Sequence, residues 1–162
     1  MECAQLIRKN HMPLTIRPVT PADFPQWLPL WEGYNTLYGR EGETALAPDI
    51  TAMTWSRIFD DDEPVHGLVA EEAGILLGMT NYLFHRSTTL IAPNCYLQDL
   101  FTTPAARGKG VGRALIEGVA DRARQAGCPR IYWQTHVTNA AGRMLYDKVA
   151  QHMGFIVYTK TL

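Results

Sequence analysis

The sequence predicts a single α+β domain with a mixed, mainly antiparallel central sheet and helices on both faces. The length of 162 residues suits one domain. Hydrophobic residues make up 46% of the chain and charged residues 19%, as in ordinary folded domains. Strand-like and helix-like runs follow one another in the order βααββ and then βαβαβ, without an internal repeat.

The first part of the chain predicts one strand and two helices. The strand covers residues 14–19. Aromatic residues and leucines at helical spacing then mark a helix from Phe24 to Trp31, which two prolines should shorten or kink. Residues 33–43 are expected to form a loop or ragged helix, and residues 48–59 a second helix.

Three strand-like runs occupy the middle of the chain. The runs at residues 65–71 and 75–85 flank Glu72-Ala73-Gly74, a break that is typical of the turn in an antiparallel hairpin. A third run covers residues 95–103 and ends at Pro104.

The last part of the chain predicts two helices and two strands. Apolar residues recur along one stripe of a helix that runs from Val111 to a glycine cap at Gly127. A short strand at 130–135, an amphipathic helix from Asn139 to about residue 153, and a final strand at 155–162 complete the order.

Charge and cysteine content exclude several classes of protein. Fifteen Lys and Arg against sixteen Asp and Glu leave a formal charge of −1, so no overall field attracts nucleic acid or an anionic membrane. No run reaches the roughly 18 apolar residues of a membrane span, and no signal peptide is evident, which predicts a cytoplasmic protein. Cys3, Cys95 and Cys128 show no metal-ligand spacing and are expected to be free thiols. Residues 1–11 look like an extension preceding a domain at residues 12–162.

A glycine-rich turn, Arg107-Gly108-Lys109-Gly110-Val111-Gly112, lies between a predicted strand and a predicted helix. The first N–H groups of such a helix are free to bind an anion, and phosphate is the natural ligand. The dinucleotide GxGxxG pattern fails because Arg113 stands where a glycine is needed. The nucleotide-triphosphate loop fails because Lys109 is followed by glycine rather than Ser or Thr. The alternative is a turn that only joins two elements.

The turn resembles the Arg/Gln-x-x-Gly-x-Gly/Ala signature of the GNAT acetyltransferases, at Arg107, Gly110 and Gly112. Residues 97–104 resemble the strand that in this family splays from its neighbour and binds the pantetheine arm. The helix after Asn139 resembles the later GNAT helix, in which an asparagine and a tyrosine lie seven residues apart, here Asn139 and Tyr146. The resemblance spans about residues 65–160.

The resemblance implies an acetyl-CoA-dependent N-acetyltransferase that needs no metal. It assigns cofactor contacts to the strand, the turn and the later helix: Leu100, Phe101, Thr102, Arg107, Gly108, Lys109, Gly110, Val111, Gly112 and Asn139. It makes Tyr146 the acid that protonates the leaving thiolate. Asn139 as a helix cap and Tyr146 as a core aromatic are alternatives that the sequence leaves open.

The general base is less well defined by the sequence. Some polyamine-acetylating relatives have glutamate at the position of Gln98, and an amide cannot accept the proton. Asp99 is the next candidate, but neighbouring strand residues face opposite sides unless a bulge intervenes. His136 or His85, acting through a water molecule, is a third candidate for the base. For each of them the alternative is a surface or packing histidine without a catalytic role.

Three aromatic residues of the first helical region are candidates for acceptor binding. Trp31, Tyr34 and Tyr38 are spaced to share one face, and with nearby glutamates they are suited to a cation. Ordinary packing against the sheet is the alternative. Gln98 and His136 are added to this acceptor-site hypothesis.

One departure from the common family pattern concerns length. Gly154 follows Tyr146 by eight residues rather than four, as in a branch that includes small yeast acetyltransferases acting on histones, polyamines or D-amino acids. The hypothesis is transfer to a primary amine of a small molecule such as a polyamine or amino acid. A peptide acetyltransferase and a non-catalytic acyl-CoA-binding module are the alternatives, and an edge at the final strand makes a homodimer plausible.

Overall fold

The computed structural model describes residues 13–162, so the predicted extension 1–11 and Cys3 lie outside the described residues. Five strands form one sheet in sequence order: β1 (Thr15–Pro18), β2 (Val65–Glu72), β3 (Ile75–His85), β4 (Asn94–Thr102) and β5 (Ile131–Tyr132). Neighbouring strands from β1 to β4 are antiparallel, and β5 pairs in parallel with β4. The predicted mixed, mainly antiparallel sheet is confirmed.

Four helices cover the sheet: α1 (Phe24–Leu37), α2 (Pro48–Arg57), α3 (Val111–Gln125) and α4 (Ala140–Val149). Short 3-10 turns lie between β1 and α1 (Pro21–Asp23), between α1 and α2 (Gly42–Thr44) and between β4 and α3 (Pro104–Ala106). The helices α1 and α2 pack on one face, and α3 and α4 on the other. Helices on both faces were predicted, and the structure has them.

The α1 face is built from stacked aromatic rings. Trp27 is almost fully buried and stacks on Trp31, with 5.5 Å between ring centroids. Trp55 of α2 closes against Trp27 at 4.7 Å. At Gly33 the helix touches β4, because an added Cβ would lie 2.5 Å from the ring of Phe101. The backbone of α1 therefore packs directly against a side chain of β4 on this face.

The α3 face follows from a helical stripe of apolar residues. Val111, Leu115, Ile116, Val119 and Ala123 are buried against the sheet, at spacings of three and four that place them on one side of the helix. Partly buried side chains of α4 pack beside them. The predicted extent of this helix, from Val111 to a cap at Gly127, agrees closely with the observed one.

An ion-pair network ties β1 to the start of α1. The guanidinium of Arg17 donates to both carboxylate oxygens of Asp23, at 2.7 and 2.8 Å, and to Glu71 of β2 at 2.6 Å. Asp23 also accepts hydrogen bonds from the main chain and hydroxyl of Thr20. Because Asp23 is buried, each of these donors compensates for lost hydration.

The predicted final strand at residues 155–162 is wrong for the described chain. Residues 151–162 form neither helix nor strand, and Phe155 and Tyr158 are 83% and 87% exposed. An apolar pattern becomes a strand only beside a partner with free N–H and C=O groups. In the described sheet no strand pairs with these residues, and β5, at one edge of the sheet, consists of two residues.

Three other boundaries differ from the predictions. The strand expected at 130–135 is limited to β5, since the chain leaves β4 after Tyr132. The helix expected at 139–153 stops at Val149, because Ala150 is extended. The expected loop at 33–43 begins as helix: α1 continues through Pro29 to Leu37, held by buried Tyr34 and other core residues.

Within residues 13–162 no helix combines the length and apolar character needed to cross a bilayer. The same residues contain no group of three or more His, Cys, Asp or Glu side chains arranged to hold a metal ion. Cys95 and Cys128 are free thiols.

Candidate active site

The glycine-rich turn is open and left-handed at two positions. Gly108 and Gly110 have φ angles of +74° and +83°, a region that residues with a Cβ enter only at a cost. An added Cβ at either glycine would meet no atom within 4 Å. The side chain of Val111, by contrast, is buried and fixes the start of α3. The backbone of the turn is thus exposed to solvent, while the buried side chain of Val111 anchors the helix that follows it.

The main-chain N–H groups at this helix start remain available. The first helical hydrogen bond runs from the N–H of Ala114 to the carbonyl of Gly110 at 2.9 Å. Among the described residues, no group accepts a hydrogen bond from the N–H of Val111, Gly112 or Arg113. Exposed Arg107 and Lys109 flank them. Free amides, open space and two cations fit the pyrophosphate of coenzyme A.

Three elements meet at this turn. A Cβ on Gly112 would contact Leu145 of α4 at 3.2 Å and Thr102 of β4 at 3.9 Å. The start of α3 therefore lies against the end of β4 and the middle of α4. The strand and the helix that the sequence assigns to the cofactor therefore both border the turn.

The edge of β4 that faces β5 is free over its second half. The two strands pair only at Cys95–Ile131 and Tyr96–Tyr132. The N–H of Thr103 donates to Leu77 of β3 at 2.9 Å, so alternation along β4 turns the main-chain groups of Leu100 and Thr102 toward the β5 side. These are the residues to which the sequence assigned main-chain contacts.

A β-bulge determines which acidic or amide side chain enters the α1 face. Asn81 of β3 pairs with Asp99 and Tyr82 pairs with Leu97, which leaves Gln98 as the extra residue. Gln98 is exposed, and Asp99 is only 7% exposed. The bulge therefore selects Asp99 for the interior side.

The carboxylate of Asp99 is held by two donors in an apolar setting. The Nδ2 of Asn81 donates to its Oδ2 at 2.9 Å, and the hydroxyl of Tyr34 is a second donor. Burial raises the pKa of Asp99, and these hydrogen bonds only partly offset the effect. A carboxylate with a raised pKa is a stronger base than an exposed one.

Tyr146 of α4 lies beside Trp133, the residue that follows β5. Its ring packs edge-on against Trp133, with 5.4 Å between centroids. Burial raises the pKa of Tyr146, and Tyr38 lies close enough to add to that shift. The phenol therefore stays protonated at neutral pH, as a proton donor must.

The three aromatic candidates occupy different environments. The indole of Trp31 is buried in the α1 core and donates to the hydroxyl of Thr51 at 3.1 Å. Trp31 therefore packs in the core and does not line the acceptor site. Tyr34 is buried and contacts Asp99. Tyr38 is half-exposed, with its ring 5.0 Å from that of Tyr34.

Asn139 acts as a helix cap. Its Oδ1 accepts from the N–H of Gly142 at 3.1 Å, and its Nδ2 donates to Thr135 at 2.9 Å. A cofactor contact at this residue is compatible with its one remaining amide hydrogen.

The two histidines considered as bases are engaged elsewhere. The Nδ1 of His136 bonds to the hydroxyl of Thr138 at 2.6 Å in the exposed turn before α4. Both ring nitrogens of His85 have partners, the carbonyl of Arg86 and the hydroxyl of Tyr132.

Two functional candidates were missed by the sequence analysis. Asn81 supports Asp99, and its signal was a polar residue inside the apolar run of β3. Arg40 lowers the pKa of Asp99 through its charge and lies in a segment expected to be irregular, where residue spacing carries no information.

A helix start with free amides beside a sheet that opens between two parallel strands is the arrangement that the sequence resemblance predicted for an acyl-CoA-dependent acyltransferase. Comparisons with known proteins agree. The profile of the Acetyltransferase (GNAT) family matches residues 27–151. The D-amino-acid N-acetyltransferase HPA3 of Saccharomyces cerevisiae is 32% identical over 149 residues, covering 91% of this chain and 90% of the yeast protein.

One further sequence relative and one solved structure are similar to this chain over different lengths. A thialysine N-epsilon-acetyltransferase of Caenorhabditis elegans is 29% identical over 89 residues, 55% of each chain. The structure of the aminoglycoside N-acetyltransferase AAC(6')-Iy in complex with CoA superimposes with a TM-score of 0.76 at 16% identity, over 96% of this chain and 99% of that one. The chain belongs to the GNAT family and is an acetyl-CoA-dependent acetyltransferase, as the sequence resemblance implied.

Proposed function

We propose that the protein transfers the acetyl group of acetyl-CoA to a primary amine of a small molecule, by direct attack in a ternary complex. The observation that supports this most is the position of Asp99, a buried carboxylate beside the open edge of β4. HPA3 and the thialysine enzyme are, by name, acetyltransferases of amino acids, which favours a small amine as acceptor.

The cofactor is proposed to lie along the turn and the free edge of β4. Bound acetyl-CoA supplies an activated acetyl thioester. The amides of Val111 and Gly112 hold the pyrophosphate, with Arg107 and Lys109 adding charge. Main-chain groups of Leu100 and Thr102 would hold the pantetheine arm along the free edge of β4, and their N–H groups would polarise the acyl carbonyl.

Proton transfer is proposed to use one residue of β4 and one of α4. Asp99 takes a proton from the acceptor amine, because an ammonium has no free electron pair with which to attack. Tyr146 gives a proton to the departing sulfur, since its buried phenol stays neutral. Asn81 and Tyr34 keep the Asp99 carboxylate oriented between these steps.

A homodimer is part of the proposal. The segment 155–162 exposes Phe155, Ile156, Val157 and Tyr158, and a second copy is a natural partner for so apolar a strand-like segment. Ile156→Asp should give a monomer by light scattering, whereas Thr159→Asp in the same segment should not. A wild-type protein that is monomeric at tens of micromolar contradicts the dimer.

The activity is tested by a screen for acetyl-CoA consumption with amines, amino acids, aminoglycosides and peptides. Turnover with free amines or amino acids and none with peptides supports the proposal. Turnover only with peptides assigns the enzyme to protein acetylation. Intact CoA binding without any turnover contradicts catalysis and favours a binding module.

A further inference from the structure

Among the residues that the structure describes, Arg40 is a fixed cation without a carboxylate partner. It follows the end of α1, and among the described residues it forms no ion pair within 4 Å. Two contacts nevertheless position it. Its Nη1 donates to the Oδ1 of Asn35 at 3.1 Å, and its guanidinium lies over the ring of Tyr38, 5.6 Å from the centroid.

Asn35 is well suited to orient this guanidinium. It is a buried residue whose Nδ2 donates to the carbonyl of Trp31 at 2.8 Å, which leaves its Oδ1 directed at Arg40. The main-chain N–H of Arg40 also donates to the carbonyl of Asn35 at 3.0 Å. A long, exposed side chain held at both its backbone and its head has lost conformational freedom before any ligand binds.

The Arg40 charge acts on the acceptor side of the site. The guanidinium lies over the ring of Tyr38, whose centroid is 5.0 Å from that of Tyr34, and Tyr34 in turn contacts Asp99. Its charge accordingly lowers the pKa of that carboxylate. The acceptor region thus holds one negative and one positive group, separated by aromatic rings.

From this arrangement we propose that Arg40 binds the carboxylate of a zwitterionic amino acid whose amine is presented to Asp99. The inference rests on the proposed function and narrows its acceptor class. An amino acid has its ammonium and carboxylate on one small frame and satisfies both protein charges. A guanidinium is a strong partner for carboxylate because its donors match the two oxygens.

A polyamine fits the same charges less well. When one amine of a polyamine faces Asp99, the next ammonium comes near Arg40 and is repelled. The glutamates of this region, Glu32, Glu41 and Glu43, are exposed, and water screens their attraction for a second ammonium.

The test compares amino acids with the amines that lack their carboxylate, for example phenylalanine with phenethylamine and lysine with cadaverine. The wild-type enzyme should favour the amino acid of each pair at least tenfold in kcat/KM. Arg40→Gln should lower kcat/KM for amino acids, measured relative to that for their paired amines, tenfold to a hundredfold. Arg40→Lys, which keeps the charge, should retain part of the preference.

Arg130→Gln is a matched control. Arg130 also lies over a tyrosine ring at 5.6 Å, that of Tyr132, and donates to an asparagine, Asn94, at 3.3 Å. It is located beside the first residue of β4, whereas Asp99 lies in the second half of that strand. Its loss should affect amino acids and amines equally.

The outcomes separate this inference from the proposed function. Turnover in which Arg40→Gln affects both members of a pair equally, or in which the wild type prefers the amine, overturns the carboxylate site and leaves the acetyltransferase intact. If no acceptor is turned over, NMR titration of the CoA-bound protein with the same amino acids decides. Binding that Arg40→Gln abolishes supports the site, and binding that survives the change or is absent in the wild type refutes it.

Discussion

Replacing Gly110 with aspartate should remove most of the affinity for coenzyme A while leaving the protein folded. The φ angle of +83° at Gly110 makes any side chain costly there, by about 1 kcal/mol, and aspartate tolerates this region better than most residues. No atom lies within 4 Å of the new Cβ, so the folded chain has room for it.

The loss of affinity comes from charge. A carboxylate about 4 Å from one phosphate charge is repelled by about 1 kcal/mol in bulk water and about 4 kcal/mol at an effective dielectric constant of about 20. Gly110 is exposed, which favours the lower half of that range. A value of about 2 kcal/mol corresponds to roughly thirtyfold weaker binding.

Calorimetric titration with coenzyme A measures this directly, and Gly74→Asp is the control. Gly74 has a φ angle of +78° and equally open space, but it lies in the hairpin turn between β2 and β3. Both variants should lose similar thermal stability, and only Gly110→Asp should lose affinity. Wild-type affinity in Gly110→Asp, or an equal loss in both variants, refutes the anion site at the turn.

Three further predictions concern the catalytic pair and the ion-pair network. Tyr146→Phe should lower kcat about a hundredfold while calorimetry shows unchanged coenzyme A affinity, because the ring remains and the proton donor is lost; an unchanged kcat moves the acid role elsewhere. Asp99→Asn should remove the acid limb of the pH profile of kcat/KM, since burial raises the pKa of Asp99 and only its ionised form accepts a proton; an acid limb that persists identifies a different base. Asp23→Asn should lower the free energy of unfolding by about 2 kcal/mol at pH 7, because hydrogen bonds from Arg17 lower the pKa of Asp23 from 3.8 to about 2. That contribution is present above pH 3.8 and fades as the pH falls toward 2, so urea unfolding should show a smaller difference between variant and wild type at pH 2.5, and an equal difference at both pH values contradicts the assignment.

Periodicity predicted the elements whose packing is regular. The stripe of α3 follows helical spacing over four turns, and its bounds came out within two residues of the prediction. The turn at residues 107–112 was identifiable because glycine is strongly favoured where φ is positive, and two of its glycines have that conformation.

Features that depend on partners distant in sequence were not predictable in the same way. The bulge at Gln98 arises from the register of β4 on β3, and alternation alone left Gln98 and Asp99 as alternatives. Whether residues 155–162 form a strand depended on a partner strand, and no strand of the described sheet pairs with them. The position of Arg40 depended on the helix continuing to Leu37 through Pro29, which core packing enforces against local propensity.

The close contact between Gly33 and Phe101 has a bearing on how acceptor preference changes in this chain. Because an added Cβ on Gly33 would lie 2.5 Å from the Phe101 ring, the α1 backbone beside Tyr34 and Asn35 packs directly on β4, which holds the proposed base Asp99 in register with the helix that faces it. The segment after Leu37 has no such restriction, since an added Cβ on Gly39 or Gly42 would meet no atom within 4 Å. New acceptors are therefore expected to arise by substitutions and insertions at residues 38–46, with the chemistry left untouched behind them.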